Sequence, residues 1–259
     1  MIDWDTYFRY QLLHRRHDPV DFRRWKRASQ RALRELHPGT VRVLDATAGL
    51  GDHAVNLAEL GFVTEASDAS AVAREATKAA LAAAKLDVLV HDARWESLGT
   101  TLGCRFDLVF NDAIHWIESA DDMHRALVGT RDALVPGGAL VFFFADARLP
   151  AERAGRHVLD WDKTHLARHE LAWIHPDGDA EVTHVVVREH ADDHIDEHLL
   201  YVTKRAEEKR LESLVMRRIY AWDWHAMTQA LARAGFGDVK SDVFVNDHGT
   251  EVALNRAFR

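Results

Sequence analysis

The sequence predicts an α/β fold in which helices cover both faces of a mostly parallel β-sheet. Three observations predict it. Short apolar segments alternate with helical segments over residues 41–144, a turn with two glycines follows the first apolar segment, and an acidic residue ends the second. Alternation of this kind is typical of βαβ units, which build parallel sheets. The 259 residues, 47% of them hydrophobic, suffice for one such domain with an insertion.

The N-terminal segment, residues 1–38, is predicted to form a helical cap. Residues 3–37 have helical character, Pro19 is suited to open a helix, and Pro38 with Gly39 ends the segment. The segment is also basic, and the simplest interpretation of its charges is a solvated helix face. The basic residues are Arg15, Arg16, Arg23, Arg24, Lys26, Arg27, Arg31 and Arg34.

The core, residues 39–149, is predicted to alternate between strands and helices. The predicted strands are 41–44, 62–67, 87–90, 106–110 and 139–144. The predicted helices are 52–60, about 71–84, a short one near 96–102, and 120–134, the last stopped by Pro136, Gly137 and Gly138. In open parallel sheets the ligand crevice lies beyond the carboxyl ends of the strands, at the topological switch point. We therefore expect the functional site beside the first strand.

The alternation stops after Pro150, and residues 150–220 are predicted to form a mostly antiparallel insertion. Segments 170–175 and 182–190 flank a His-Pro-Asp-Gly-Asp turn and indicate a hairpin. Segments 198–204 and 211–220 indicate two further strands, although the second is also compatible with a helix. Residues 221–259 then return to the core sheet, with a helix at 223–234 ending at Gly235 and strands at 239–245 and 251–258.

Composition and charge limit the possible partners and location. The formal net charge of −8 disfavours nucleic acid, which needs many phosphate contacts. The longest apolar run, 139–145, is too short to span a membrane. The one cysteine, Cys104, excludes an internal disulfide, and the N-terminus does not resemble a signal peptide. We expect a cytoplasmic protein with a small-molecule partner, and the sequence is compatible with a homo-oligomer.

The segment that carries most information about function follows the first strand. That strand ends in Asp45, and the chain turns through Gly49 and Gly51 into a helix. Glycine lets the backbone approach a ligand closely, and a helix start presents unpaired N–H groups. The second strand leads to Asp68, whose carboxylate can accept hydrogen bonds from both hydroxyls of a ribose. This arrangement predicts a nucleoside cofactor.

Two classes of nucleoside cofactor fit these residues. Residues 49–54 match the dinucleotide fingerprint, with Asp68 near the expected offset. That fingerprint usually places its first glycine directly after the strand and a pyrophosphate on the helix start. Here three residues separate Asp45 from Gly49, and Asp52 would repel a pyrophosphate. A methionine moiety with an ammonium and a sulfonium tolerates acids better, so the dinucleotide interpretation is the alternative.

Residues 43–51 resemble the first motif of the class I S-adenosylmethionine-dependent methyltransferases, V-L-D-x-x-x-G-x-G. The P-G-G at 136–138 and the L-x-x-A-G-F at 231–236 resemble later segments of the same class. Within the class, the closest resemblance is to the glycine and glycine/sarcosine N-methyltransferase group. It is carried by 61–62 and 67–70, by Arg94–Trp95 where that group has Asn-Trp, and by Tyr220. The sequence departs from the group at 47–51 and is shorter after strand four.

The resemblance implies a Rossmann-like methyltransferase sheet, S-adenosyl-L-methionine as cofactor and a role for each site residue. Asp45 would hold the methionine ammonium, and Asp68 the ribose. Asp92 would accept from the adenine amino group, and Trp95 would cover the purine, although a helix cap and a core tryptophan are the structural alternatives. The predicted cofactor-binding residues are Arg23, Asp45, Thr47, Gly49, Gly51, Asp68, Ala69, Asp92, Ala93, Trp95, Asn111 and Asp112.

The predicted catalytic residues are His115 after strand four and Tyr220 at the end of the insertion. Histidine is a natural proton acceptor near neutral pH, and Tyr220 would line an acceptor pocket with Trp222. The leading hypothesis is N-methylation of a small-molecule amine. The alternatives are O-methylation of a natural-product hydroxyl and a non-catalytic cofactor-binding partner. The run His184, His190, His194 and His198 suggests a metal only if helical, so no metal is expected.

Overall fold

The computed structural model describes residues 3–19, 22–39, 41–143, 169–190, 194–220, 224–245 and 251–259. For some positions only the backbone is described, namely 22–26, 115, 143, 169, 190, 194–195, 212–220, 245 and 251–252. The helices are α1 (Trp4–His17), α2 (Phe22–Leu36), α3 (Asp52–Glu59), α4 (Ala71–Ala83), α5 (Leu98–Leu102), α6 (Ala120–Ala133) and α7 (Trp224–Arg233). The strands are β1 (Arg42–Asp45), β2 (Val63–Asp68), β3 (Leu89–Asp92), β4 (Phe106–Asn111), β5 (Leu134–Phe143), β6 (His169–Asp177), β7 (Ala180–His190), β8 (His194–Arg205), β9 (Glu208–Tyr220), β10 (Val239–Val245) and β11 (Glu251–Phe258).

A seven-stranded sheet forms the core, in the order β10-β11-β5-β4-β1-β2-β3. Its strands from β5 to β3 run parallel, whereas β10 and β11 pair antiparallel with each other, and β11 pairs antiparallel with β5. Buried side chains cover both faces, one packed under α6 and α7 and the other under α2 and α3. The predicted α/β fold with a mostly parallel sheet is confirmed.

The boundary between α6 and β5 differs from the prediction. The sequence predicts a helix to residue 134 and a strand from 139, whereas α6 ends at Ala133 and β5 begins at Leu134. The pairing of β4 with β5 shifts register at this point, and Gly137 has a φ of 80°. The Pro-Gly-Gly segment therefore acts as an irregularity within the strand, because the neighbouring strand supplies pairing that a sequence pattern does not reveal.

The insertion forms a second, antiparallel sheet in the order β6-β7-β8-β9. The predicted hairpin is confirmed, since Asp177 pairs with Ala180 across a turn in which Gly178 has a φ of 63°. Segment 211–220 lies within β9, which excludes the helical alternative for it. The predicted strand at 198–204 is longer than expected, because β8 begins at His194.

The N-terminal segment forms two helices, α1 and α2, and α1 lies against the second sheet. Leu13 packs with Val182, Leu199 and Tyr201, and the rings of Tyr10 and Tyr201 stack with centroids 3.8 Å apart. Asp3 begins α1 by accepting from the backbone N–H of Thr6 at 3.1 Å.

In the part of the chain that the structure describes, no helix is long and apolar enough to cross a membrane.

Candidate functional site

The site begins at the carboxyl ends of β1, β2 and β4, which are neighbours in the sheet. Asp45, Asp68 and Asn111 are the last residues of these three strands. Because the strands are parallel, the loops that follow them lie at one edge. The structure thus brings together three polar residues that the sequence predicts to share a site.

The turn after β1 requires its second glycine for two reasons. Gly51 has a φ of 90° at the start of α3, a backbone conformation that other residues rarely adopt. A Cβ at this position would lie 2.9 Å from the Cβ of Ala80 and 3.1 Å from the Cα of Thr77. The absence of a side chain therefore lets α3 and α4 approach each other closely and fixes the path of the loop.

Asp68 joins this loop to the end of β2. The Gly49 N–H donates to its Oδ2 at 3.0 Å, and the Ser70 N–H donates to its Oδ1 at 2.9 Å. Burial raises the pKa of the Asp68 carboxyl above its ordinary value, while the hydrogen bonds from Ser70 and Gly49 oppose this shift. Each carboxylate oxygen can accept a second hydrogen bond. Asp68 is therefore held in place and can still bind a pair of hydroxyl groups.

Asp45 and Asp112 are linked by hydrogen bonds from Thr47. The Thr47 N–H donates to Asp45 Oδ1 at 3.1 Å, and the Thr47 hydroxyl donates to Asp112 Oδ1 at 3.0 Å. His53 contacts the other oxygen of Asp112, with Nε2 and Oδ2 2.5 Å apart. Asp45 is fully buried, whereas Asp112 keeps 24% of its side chain exposed. Two carboxylates therefore lie on either side of one hydroxyl, which is a favourable environment for a cation.

The residues predicted to bind adenine lie around the first part of the same loop. The Trp95 indole N–H donates to the Ala46 carbonyl at 2.7 Å, which fixes the ring beside the loop. Ala93 is buried, and the Asp92 carboxylate is mostly exposed and forms an ion pair with Arg74 at 3.0 Å. Arg74 also donates to the carbonyl of Ala69 at 2.9 Å. A ligand that binds Asp92 would share this carboxylate with Arg74.

Helix α1 covers the site, as expected for the predicted N-terminal helical cap, through contacts that the sequence did not reveal. Arg15 donates to both carboxylate oxygens of Asp52 at 3.1 and 2.7 Å. Asp5 accepts from the Ser70 hydroxyl at 2.6 Å. The ring of Phe8 lies 3.5 Å from the position that a Cβ on Gly49 would take. These contacts place α1 over the glycine loop and over the starts of α3 and α4.

Comparisons with known proteins decide the family. Residues 13–176, more than half of the chain, match the family described as methyltransferase domain. The chain belongs to this methyltransferase family. The resemblance stated from the sequence is confirmed at the level of class I S-adenosylmethionine-dependent methyltransferases, and the dinucleotide alternative is not supported. A search of curated proteins finds no match.

Solved structures of small-molecule methyltransferases share the fold of this methyltransferase. The sugar N-methyltransferase KedS8 from Streptoalloteichus has 20% identity and a TM-score of 0.69, with 96% of this chain and 92% of that chain covered. The amino pentose methyltransferase CalS10 from Micromonospora echinaspora, solved with its cofactor bound, has 17% identity and a TM-score of 0.61, with 96% of each chain covered. The 1,6-didemethyltoxoflavin-N1-methyltransferase from Burkholderia thailandensis has 16% identity and a TM-score of 0.54, with 99% of this chain and 89% of that chain covered. At these identities the likeness shows the fold.

The groups at the sheet edge of this methyltransferase fit S-adenosyl-L-methionine. Asp68 offers a carboxylate for the ribose hydroxyls, and Asp45 with Asp112 offers negative charge for the methionine ammonium. Gly49 and Gly51, with φ of 52° and 90°, give the loop beside these groups its path. When bound, the cofactor supplies an electrophilic methyl group on a positively charged sulfur, and the acidic donor set suits that charge.

Three predicted residues have side chains outside the described part of the methyltransferase. Arg23 belongs to α2, His115 to the 3-10 turn Ile114–Trp116, and Tyr220 to the end of β9, and for each the backbone alone is described. The backbone of β9 lies against the turn that contains His115. The segments of both predicted catalytic residues therefore meet, while their roles stay predictions. Trp222, predicted to line the acceptor pocket, lies outside the described residues.

A cavity of about 440 Å³ lies between α1 and the antiparallel sheet. Its floor contains the buried ion pair of Arg188 and Glu197, with Nε and Oε2 2.9 Å apart, and Glu170 lies 3.5 Å from the same guanidinium. Tyr7 and Trp173 contribute aromatic walls. Among the described residues, no group of three His, Cys, Asp or Glu side chains is arranged to hold a metal ion. The remaining lining residues are Gln11, His14, Asp18, Ala172, His184, Val186 and Leu199.

Proposed function

We propose that this methyltransferase transfers a methyl group to an amine nitrogen of a small molecule that binds in the cavity between α1 and the antiparallel sheet. The volume of about 440 Å³ is in the range that small-molecule sites occupy. The observation that carries the proposal is the charge of the lining, which combines the carboxylates of Asp18, Glu170 and Glu197 with the guanidinium of Arg188.

The charges of the buried ion pair cancel, so the other carboxylates of the lining make the cavity negative. Arg188 and Glu197 are 8% and 2% exposed, and each charge compensates the other inside the protein. Glu170 and Asp18 then add negative charge at the more exposed part of the lining. A ligand with an ammonium group would gain from this charge, whereas a ligand with a phosphate would be repelled. The cavity therefore favours an amine, and it disfavours an acceptor that carries a phosphorylated or nucleotide group.

An amine acceptor also fits the limited machinery that the site requires. Methyl transfer from a sulfonium needs the nucleophile, the methyl carbon and the sulfur held in line near contact distance. A neutral amine attacks without a strong base, so alignment and exclusion of water account for most of the catalysis. We propose that α1 excludes water through its contacts with Gly49 and Asp52, and that His115 and Tyr220 contact the acceptor.

The roles of the cofactor-binding residues complete the proposal. Asp68 binds the ribose, and Asp45 with Asp112 binds the methionine ammonium. Arg23 pairs with the methionine carboxylate. Asn111 contacts the methionine portion. The remaining predicted residues shape the loop and the adenosine end, namely Thr47, Gly49, Gly51, Ala69, Asp92, Ala93 and Trp95. A cytoplasmic location, the absence of nucleic-acid partners and the resemblance to the glycine/sarcosine group stay predictions of the sequence.

The names of the structural neighbours support nitrogen as the acceptor atom. They describe a sugar N-methyltransferase, a methyltransferase of an amino pentose and an N1-methyltransferase. We therefore include amino sugars among the candidate acceptors, beside glycine and sarcosine. O-methylation of a hydroxyl is the second candidate, because the turn with His115, a candidate base, lies against β9, the strand that ends in Tyr220.

Product analysis with a labelled methyl group tests the proposal. S-adenosyl-L-methionine carrying a ¹³C methyl is incubated with glucosamine, glycine, sarcosine and, as the matched hydroxyl compound, glucose. The proposal predicts a product with the chemical shift of an N-methyl group from at least one amine and none from glucose. Transfer to glucose with no transfer to any amine would contradict it and would favour the hydroxyl candidate.

A further inference from the structure

His53 is a buried histidine beside the site whose role no sequence motif indicated. It is the second residue of α3 and is 2% exposed. Its Nδ1 contacts the side-chain amide nitrogen of Gln30 on α2, and its Nε2 contacts Asp112 Oδ2 at 2.5 Å. Its ring packs against Phe110 with centroids 4.6 Å apart. We infer that His53 is a positioning residue that orients the Asp112 carboxylate toward the cationic amino-acid end of the cofactor.

The hydrogen bonds of His53 indicate how it holds the Asp112 carboxylate. A carboxylate accepts hydrogen bonds, so the Nε2–H of His53 donates to Asp112 Oδ2, while Nδ1 faces the side-chain amide nitrogen of Gln30. The tautomer is thus assigned from the hydrogen-bond partners. The Thr47 hydroxyl donates to the other oxygen of Asp112 at 3.0 Å. Both oxygens of the carboxylate are held, one from α3 and one from the glycine loop, so rotation of the Asp112 side chain breaks a hydrogen bond.

The orientation matters because a second carboxylate lies on the other side of Thr47. The Thr47 hydroxyl lies 3.4 Å from Asp45 Oδ1, which is fully buried at the end of the neighbouring strand. Two like charges held close together disfavour each other's ionisation, and a cation between them relieves the repulsion. Asp112 is 24% exposed and so is accessible to a ligand. The inference rests on the proposal that Asp112 binds the methionine end of the cofactor.

Two ligands separate a positioning role from a purely structural one. S-adenosylhomocysteine carries the ammonium-bearing amino acid, whereas methylthioadenosine has the same adenosine and sulfur without that amino acid. A variant that only disturbs the fold around α3 weakens binding of both ligands. A variant that misorients Asp112 weakens binding of S-adenosylhomocysteine alone.

Calorimetric titration of both ligands into a set of variants tests the inference without any methyl acceptor. His53→Met removes the donor at similar volume, and His53→Gln keeps an N–H donor. We expect His53→Met to lower the affinity for S-adenosylhomocysteine by about tenfold, as for loss of a hydrogen bond to a charged group. The affinity for methylthioadenosine should change by less than about twofold, and His53→Gln should restore most of the lost affinity.

A double-mutant cycle with Asp112→Asn completes the test. If His53 acts through Asp112, His53→Met causes almost no further loss in the Asp112→Asn background. Equal losses for both ligands, or losses that add in the double variant, would overturn the inference. Asp112→Asn without effect on S-adenosylhomocysteine would instead refute the proposed role of Asp112 itself. Thermal unfolding of each variant identifies a folding defect, which the His53→Gln variant is designed to avoid.

Discussion

Arg15 of α1 holds Asp52, the first residue of α3, through two hydrogen bonds of 3.1 and 2.7 Å. The paired geometry matches the fork of a guanidinium to a carboxylate. Asp52 is also favoured at a helix start, where its charge meets the positive end of the helix dipole. This one contact fixes the helix that covers the cofactor site to the helix that begins at the glycine loop.

Loss of the contact between Arg15 and Asp52 should weaken the packing of α1 over the cofactor site. We expect Arg15→Met to increase the dissociation rate of S-adenosylhomocysteine and to destabilise the fold by about 1–3 kcal/mol, since it leaves Asp52 without its partner. Stopped-flow dissociation and denaturant unfolding measure the two effects. Arg16→Met is the matched control, because Arg16 is exposed on the same helix. Equal dissociation rates for the two variants would contradict a covering role of α1.

The contact between Asp5 and Ser70 should make stability depend on acid pH. The hydrogen bond from the Ser70 hydroxyl, together with backbone N–H groups at the start of α4, lowers the pKa of Asp5 below 3.8. A carboxyl whose folded pKa is lowered contributes stability above its unfolded pKa and loses it as pH falls through the folded value. Asp5→Asn should therefore lower Tm at pH 7, and the difference in Tm should shrink as the pH falls through the lowered pKa of Asp5. A Tm difference independent of pH would count against this assignment.

Replacing Gly51 by alanine should destabilise the protein, and a control variant separates backbone strain from the close contact with α4. Gly51→Ala forces a left-handed residue and a contact 2.9 Å from Ala80, so we expect about 1–3 kcal/mol of destabilisation. Gly61 also has a positive φ, of 82°, in the left-handed region at the C-terminus of α3, yet a Cβ there would meet only a side-chain nitrogen of Arg34, at 3.9 Å. Gly61→Ala thus reports the backbone strain alone. The close approach of α3 and α4 predicts a clearly larger loss for Gly51→Ala in denaturant unfolding, and equal losses would refute it.

The negative lining of the cavity should select the charge of the acceptor. Glu170→Gln removes one carboxylate while keeping its shape, and we expect it to weaken binding of glucosamine severalfold, as a hydrogen bond to a charged group does. Binding of glucose should be nearly unchanged. Glu181→Gln is the matched control, because Glu181 is exposed on β7 and does not line the cavity. Ligand-detected NMR measures both sugars, and equal effects on the two would contradict charge selection.

The parts of the fold that depend on local patterns were predictable from the sequence. Periodicity placed the alternating strands and helices, and the spacing of Asp45, Gly49 and Gly51 indicated the loop that the structure shows. Asp68 was identified because an acid at the end of the second strand has a simple chemical use. These inferences need only a few consecutive residues and the geometry of one βαβ unit.

The contacts that complete the site join residues far apart in the chain. Arg15 and Asp52 are 37 positions apart, and His53 and Asp112 are 59 apart. No local sequence pattern predicts either contact. The sequence does not determine where α1 packs, and His53 resembles an ordinary helical residue. A histidine two residues after the last glycine of the loop was the one signal available for His53. The sequence placed an acceptor pocket at the insertion, but the contribution of α1 to the lining of the cavity was unpredictable for the same reason.

We propose above all that the edge formed by β1, β2 and β4 binds S-adenosyl-L-methionine through Asp68. Calorimetric titration of this cofactor, and of NADH in parallel, into the wild type, Asp68→Ala and the exposed control Asp87→Ala tests it most directly. We predict binding in the wild type and in Asp87→Ala, weakened by at least about tenfold, or ~1.4 kcal/mol, in Asp68→Ala. Unchanged affinity in Asp68→Ala, or binding of NADH in place of S-adenosyl-L-methionine, would contradict the account.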